Sequence, residues 1–208
     1  MRARELVIIG MAVAAIAVGF VITQRLDSAE KSGSMSADSG VRDTVLTNGD
    51  GQEFPLAASD GKWLILFFGY ASCPDVCPMS LAYLNRELTT AGQAADSFQP
   101  IFISVDPRRD RPEVLKRYVA AFSNRIIGAT GSPEALDSLS KRLGVYYEVE
   151  SKSGDDKSED NYTIVHSGAF FVISPAGKLV KTLSPPAAPG ALSELMRQIN
   201  AEKNAGKA

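Results

Sequence analysis

Six consecutive apolar residues, Trp63-Leu64-Ile65-Leu66-Phe67-Phe68, run through Gly69-Tyr70-Ala71-Ser72 into Cys73-Pro74-Asp75-Val76-Cys77-Pro78. An unbroken apolar run reads as a strand covered on both faces, near the centre of a sheet with helices packed against it. Proline is accepted in the first turn of a helix, where its missing N–H is not needed, so the two prolines bracket a turn that opens a helix. Leu81, Leu84 and Leu88 then recur at helical spacing between Met79 and Thr90. A strand, a turn holding two thiols and a helix predict a thioredoxin-like arrangement.

The rest of the chain from Val41 fits that expectation. Thr44–Thr47 and Gln52–Leu56 flank Asn48-Gly49-Asp50-Gly51, which predicts an N-terminal hairpin. Pro100–Val105 reads as a second buried strand, and a helix follows from Pro112 with Val114, Leu115, Tyr118, Val119 and Phe122 on one face. Ile126–Ala129 is a short strand, and Pro133–Leu143 a helix capped by Ser132 and ended by Gly144. Val145–Val149 and Tyr162–Val165 flank a charged insertion that reads as a solvated loop. Phe170–Ile173 and Lys178–Lys181 form a hairpin about Pro175-Ala176-Gly177, and Ala191–Ala201 a last helix. Strands alternating with helices make this an α/β domain, residues 41–202.

Cys73, Cys77 and His166 are the only cysteines and histidine in 208 residues. A lone buried cysteine is ordinarily a small hydrophobe, and a lone histidine is ordinarily a hydrogen-bonded or surface residue. Two thiols at a helix N-terminus are different, because the macrodipole and free N–H groups there favour an anion, which predicts a lowered thiol pKa. The pair can also close as a disulfide. Two soft sulfurs and an imidazole make a copper-type donor set. Zinc accepts the same donors with a water, although structural zinc sites usually take four protein ligands. A net charge of −2 gives no basic footprint for nucleic acid.

Arg2 and Arg4 precede an uncharged stretch, Leu6–Thr23, long enough to span a bilayer. Residues 1–24 therefore read as one transmembrane anchor. A cleaved signal peptide is the second reading, with Ala15-Ile16-Ala17 resembling a cleavage site. The positive-inside tendency puts the remainder outside the cytoplasm, so the chain reads as a single-pass inner-membrane protein with its domain in the periplasm. Residues 25–40, rich in Ser, Gly and Ala, read as a flexible linker.

Phe68-Gly69-Tyr70, Cys73–Pro78, Ser104-Val105-Asp106-Pro107-Arg108-Arg109-Asp110 with Pro112–Leu115, and Val165-His166-Ser167 together resemble the Sco/SenC family of copper-binding cytochrome c oxidase assembly proteins. The likeness runs in order through residues 41–202. It implies metal ligands at Cys73, Cys77 and His166, with copper as Cu(I) or Cu(II). It marks Asp106 as an aspartate near the site, where capping the turn before Pro107 is an equally good account. Asp75 reads as an exposed turn residue, with a charge for partner docking as the other reading. Ala71-Ser72 departs from the Thr-His pair common in relatives, which weakens any role for that position.

The resemblance implies a copper metallochaperone for the dinuclear copper centre of cytochrome c oxidase. Its partner would be subunit II or another cuproprotein, with other periplasmic copper carriers as further contacts. The alternative is a membrane-anchored thiol-disulfide oxidoreductase, with Cys73 and Cys77 as its redox pair, that reduces the cysteines of that target. Thioredoxin enzymes place a cis-proline before the next-to-last strand, where this chain has Val165-His166-Ser167-Gly168. That replacement favours metal binding over general disulfide exchange. A peroxiredoxin-like peroxidase fits poorly with paired cysteines and a histidine, and a redox or copper sensor is compatible with the same residues.

Overall fold

The computed structural model describes residues 40–59, 61–151, 162–184 and 188–205. The strands are β1 (Val45–Asn48), β2 (Glu53–Pro55), β3 (Trp63–Gly69), β4 (Phe98–Ser104), β5 (Ile127–Thr130), β6 (Tyr147–Ser151), β7 (Tyr162–His166), β8 (Phe170–Ile173) and β9 (Leu179–Leu183). The α-helices are α1 (Val76–Ala91), α2 (Pro112–Ala120), α3 (Pro133–Leu143) and α4 (Ala191–Ala205). Seven strands form one sheet in the order β2-β1-β5-β4-β3-β8-β9. β3, β4 and β5 run parallel, while β8 lies antiparallel to β3 and β9 antiparallel to β8. Among the described residues, β6 and β7 pair only with each other.

The two-residue period of β3 explains the layers. Leu64, Leu66 and Phe68 enter one apolar cluster with Leu136, Leu139 and Leu143 of α3. Ile65 and Phe67 enter the other with Leu81, Leu84 and Leu88 of α1, Leu115 and Val119 of α2, and Leu192 and Met196 of α4. Each such fully buried Leu, Ile or Phe side chain contributes about 1.5–3 kcal/mol of apolar transfer free energy. The unbroken apolar run is thus required by a strand covered on both faces.

Local signals set the element ends. Ser132 Oγ accepts the Ala135 N–H at 3.2 Å to cap α3, and Gly144 closes that helix at φ 67, a conformation that costs a residue with a Cβ. Asn48 Oδ1 accepts the N–H groups of Asp50 and Gln52, closing the β1–β2 turn. Glu87, buried in α1, accepts the Gly190 and Ser193 N–H groups, both at 3.0 Å, and so ties the start of α4 to α1. The final helix runs to Ala205, four residues past the expected end, because its last turn continues without a breaker.

This is the expected α/β, thioredoxin-like architecture, with the N-terminal hairpin added at one sheet edge as β2 and β1. The anchor (1–24), almost all of the linker (25–40) and residues 152–161 of the charged insertion lie outside the described residues. Among the described residues no helix is long and apolar enough to cross a membrane.

Candidate metal centre

Three elements converge where β3 ends. The β3 chain passes from Gly69 through a turn, held by the Cys73 N–H donating to Tyr70 O at 3.2 Å, into α1. Cys73 lies in that turn and is partly buried, while Cys77, the second residue of α1, is fully buried. Both cysteines are free thiols. His166 closes β7 and arrives from the two-stranded sheet. Cys77 Sγ and His166 Nε2 are 3.3 Å apart, and the donor atoms of Cys73, Cys77 and His166 all lie within 4.8 Å of one another.

The imidazole has one usable orientation. His166 Nδ1 lies 3.2 Å from Ser167 O, and a carbonyl can only accept, so Nδ1 carries the proton and Nε2 offers its lone pair to the sulfurs. Burial lowers the His166 pKa below 6.5 against the opposing pull of the Ser167 and Phe68 carbonyls, which keeps the ring neutral. Its ring meets Tyr70 and Phe67 edge-on, at centroid separations of 5.8 and 6.3 Å. Those contacts leave little room for rotation.

Gly69 is where backbone and site touch. A Cβ built there would lie 2.5 Å from Cys77 Sγ and 2.9 Å from the Phe102 ring. The motif Phe68-Gly69-Tyr70 thus combines a core phenylalanine, the absence of a side chain that makes room for sulfur, and an aromatic wall for the histidine.

One expectation is corrected. The helix N-terminus was expected to lower the thiol pKa, but burial pushes Cys77 strongly upward, reinforced by the charge of Cys73, and the Tyr70 backbone offsets only part of this. Desolvation outweighs the terminal dipole because the sulfur faces the apolar layer of Leu81 and Phe102 rather than water. Cys77 is therefore a protonated thiol at neutral pH. With His166 Nε2 unprotonated, its Sγ lies within hydrogen-bond reach of a proton acceptor, at 3.3 Å.

The donor set fits a soft or borderline cation. Donors bonded to one ion at about 2.0–2.3 Å stand at most about 4.6 Å apart, so the cluster closes on an ion with small adjustments. Asp75 is the exposed N-cap of α1 and makes no side-chain cap. Asp106 caps the turn, its Oδ1 accepting the Arg109 N–H at 3.3 Å, and it also accepts the Tyr162 hydroxyl at 2.6 Å. The sequence assigns no site role to three neighbours, Asp110, Arg109 and Tyr162. Asp110 is buried and accepts from Ala71 N at 2.7 Å and Ser104 Oγ at 2.6 Å. Arg109 pairs with Asp106 and stacks on Tyr162, its guanidinium 3.6 Å from the ring centroid. Ala71 and Tyr162 lie 39 and 53 residues from the loop that meets them, so no local pattern signals those two contacts.

The SCO1/SenC family profile matches residues 34–201. Protein SCO2, mitochondrial, of Saccharomyces cerevisiae is 37% identical over 139 residues, which is 66% of this chain and 45% of that protein; the chain thus spans less than half of that relative's length. The solved structure of Bradyrhizobium japonicum ScoI with copper bound superposes at TM-score 0.65 and 30% identity, covering 74% of this chain and 96% of that one. Yeast Sco1 with copper bound superposes at 0.64 and 30% identity, covering 78% and 91%. The profile covers most of the chain, and the chain belongs to the SCO1/SenC family.

Proposed function

We propose that this chain is a copper metallochaperone serving the dinuclear copper centre of cytochrome c oxidase, with Cys73, Cys77 and His166 as the ligands of its cargo. The convergence of those three donors within 4.8 Å carries the proposal. Two thiolates and one imidazole satisfy trigonal Cu(I), and a water or carboxylate oxygen completes a set for Cu(II). The partial exposure of Cys73 offers an incoming acceptor a sulfur to approach, while Cys77 and the wedged imidazole hold the ion from behind. The natural recipient is subunit II or another exported cuproprotein, with other copper carriers as donors.

The site also supports a second reading. One accessible and one buried thiol in a single turn are arranged for disulfide exchange, the first attacking and the second resolving. The raised Cys77 pKa speaks against fast exchange, because the thiolate is the nucleophile.

The uncharged stretch after Arg2 and Arg4 supports a single-pass anchor in the inner membrane with the copper site in the periplasm.

His166→Ala separates the two activities. It removes one ligand and leaves both thiols. A chaperone should lose tight copper retention and fail to support assembly of the oxidase copper centre, yet still reduce a model disulfide, and excess copper should partly rescue it. Full oxidase assembly by the variant at limiting copper would sink the chaperone and leave the reductase.

A further inference from the structure

The donor cluster is built from two arms. The cysteine arm continues β3 through Gly69 to Cys77, whereas the histidine arm is the β6–β7 hairpin, which shares no ladder with the seven-stranded sheet. An isolated two-stranded hairpin is marginal in water, so its placement depends on its anchors. The loop between β4 and α2 touches both arms. On the cysteine side, Asp110 accepts the Ala71 N–H and Arg109 lies over the Tyr70 ring at 5.5 Å. On the histidine side, Arg109 stacks on Tyr162 at 3.6 Å and its Nη1 donates to Tyr162 O at 3.0 Å, while the Tyr162 hydroxyl donates to Asp106.

Tyr162 opens β7 and His166 closes it. A strand is stiff along its length, so fixing the first residue aims the last. Arg109 suits this task because a planar guanidinium stacks on one aromatic and donates to a carbonyl at once, which an ammonium does not.

We infer that Arg109, acting through Tyr162, is a positioning residue of the metal centre that holds the histidine arm against the cysteine arm. The inference rests on the copper reading for its metal readout. Without this clamp the two sulfurs stay placed by β3 and α1, while His166 Nε2 loses its aim and the ion is held by sulfur and solvent.

The test uses the full chain and the variants Arg109→Met and Tyr162→Leu, the second removing the ring on which Arg109 stacks. Loaded with Cu(II), each should keep one copper per chain but lose the histidine nitrogen coupling in pulsed EPR, and release copper at least about tenfold faster, as expected for a group that orients a ligand. In a His166→Ala background Arg109→Met should add under about twofold, because the ligand it aims is already gone. Wild-type nitrogen coupling and release rates in both variants would overturn the inference, and so would additivity with His166→Ala. Should the wild-type chain take up no copper, the chaperone reading fails and the clamp is judged on the metal-free protein. There, amide exchange at Ile164 and His166 should accelerate at least about tenfold while Leu66 stays protected, and unchanged exchange rejects the clamp. If Arg109→Met loses protection at Leu66 as well, Tyr162→Leu, which removes the stacked ring and leaves Arg109 and its cysteine-side contact in place, decides.

Discussion

Cys77 Sγ lies 3.3 Å from His166 Nε2 across 89 residues of sequence, a buried thiol facing an imidazole kept neutral by burial. In the metal-free chain a proton occupies the place between them, and a bound cation has to displace it.

That displacement makes copper loading depend on pH. Burial raises the Cys77 pKa, so the proton that Cys77 gives up on binding makes the apparent affinity rise about tenfold per pH unit through the neutral range. His166, with its pKa lowered below 6.5, does not compete until the solution is more acidic than that. Chelator competition between pH 6 and 8 measures the slope, and a flat profile would exclude ligation by Cys77.

The stability of the reduced, metal-free chain should fall on both sides of neutrality. Cys77 keeps a proton that the unfolded chain releases above 9.0, so its contribution is whole below that pH and is lost as the pH rises. His166 refuses a proton that the unfolded chain accepts below 6.5, so its contribution is whole above that pH and is lost as the pH drops. Each limb has a limiting slope of about 1.4 kcal/mol per pH unit. Urea titrations across pH 5 to 10 should trace a plateau with two falling edges.

Gly69→Ala should damage the site more than the fold. The new Cβ would sit 2.5 Å from Cys77 Sγ, forcing the sulfur or the α1 start to move. We expect about 1–3 kcal/mol lost from stability, as for other overpacked positions. Copper affinity should fall with it, by at least about tenfold. Wild-type affinity in a folded Gly69→Ala chain would show that the sulfur position is not fixed by this contact.

Glu87→Ala supplies the contrasting case. Burial pushes the Glu87 carboxyl up, but the hydrogen bonds from Ser193 and Gly190 outweigh it and hold the group below the ordinary carboxylate range. Deleting it strands two N–H groups at the start of α4 and should cost about 1.5–3 kcal/mol. Copper stoichiometry should stay unchanged, since α4 takes no part in the donor cluster. A lost site with retained stability would contradict this division of roles.

The proposed topology is open to a direct check. A reporter that works only outside the cytoplasm, fused after residue 40, should be active, because Arg2 and Arg4 precede the uncharged stretch. Activity of a cytoplasm-only reporter at the same position removes the periplasmic assignment.

Where a residue's role is decided by its immediate neighbours, the sequence announces it. Ser132 and Gly144 bound α3 as their types require, and the apolar run of β3 reveals a strand with two covered faces. The cysteine turn and the lone histidine mark themselves by chemistry. What stays hidden depends on distant partners. Nothing near Arg109 points to Tyr162, and nothing near Cys77 tells that its sulfur turns toward Phe102 rather than water, which reversed the expected pKa. The separation of β6 and β7 from the main sheet is likewise a matter of which edges find each other, and alternation alone does not specify that.

The hairpin that carries His166 borrows no ladder from the main sheet, and its two strands are joined through residues 152–161. A change in that connection leaves β3 and the cysteine turn as they were. Descendants of such a chain can lengthen, shorten or recharge that connection without redrawing any ladder of the main sheet.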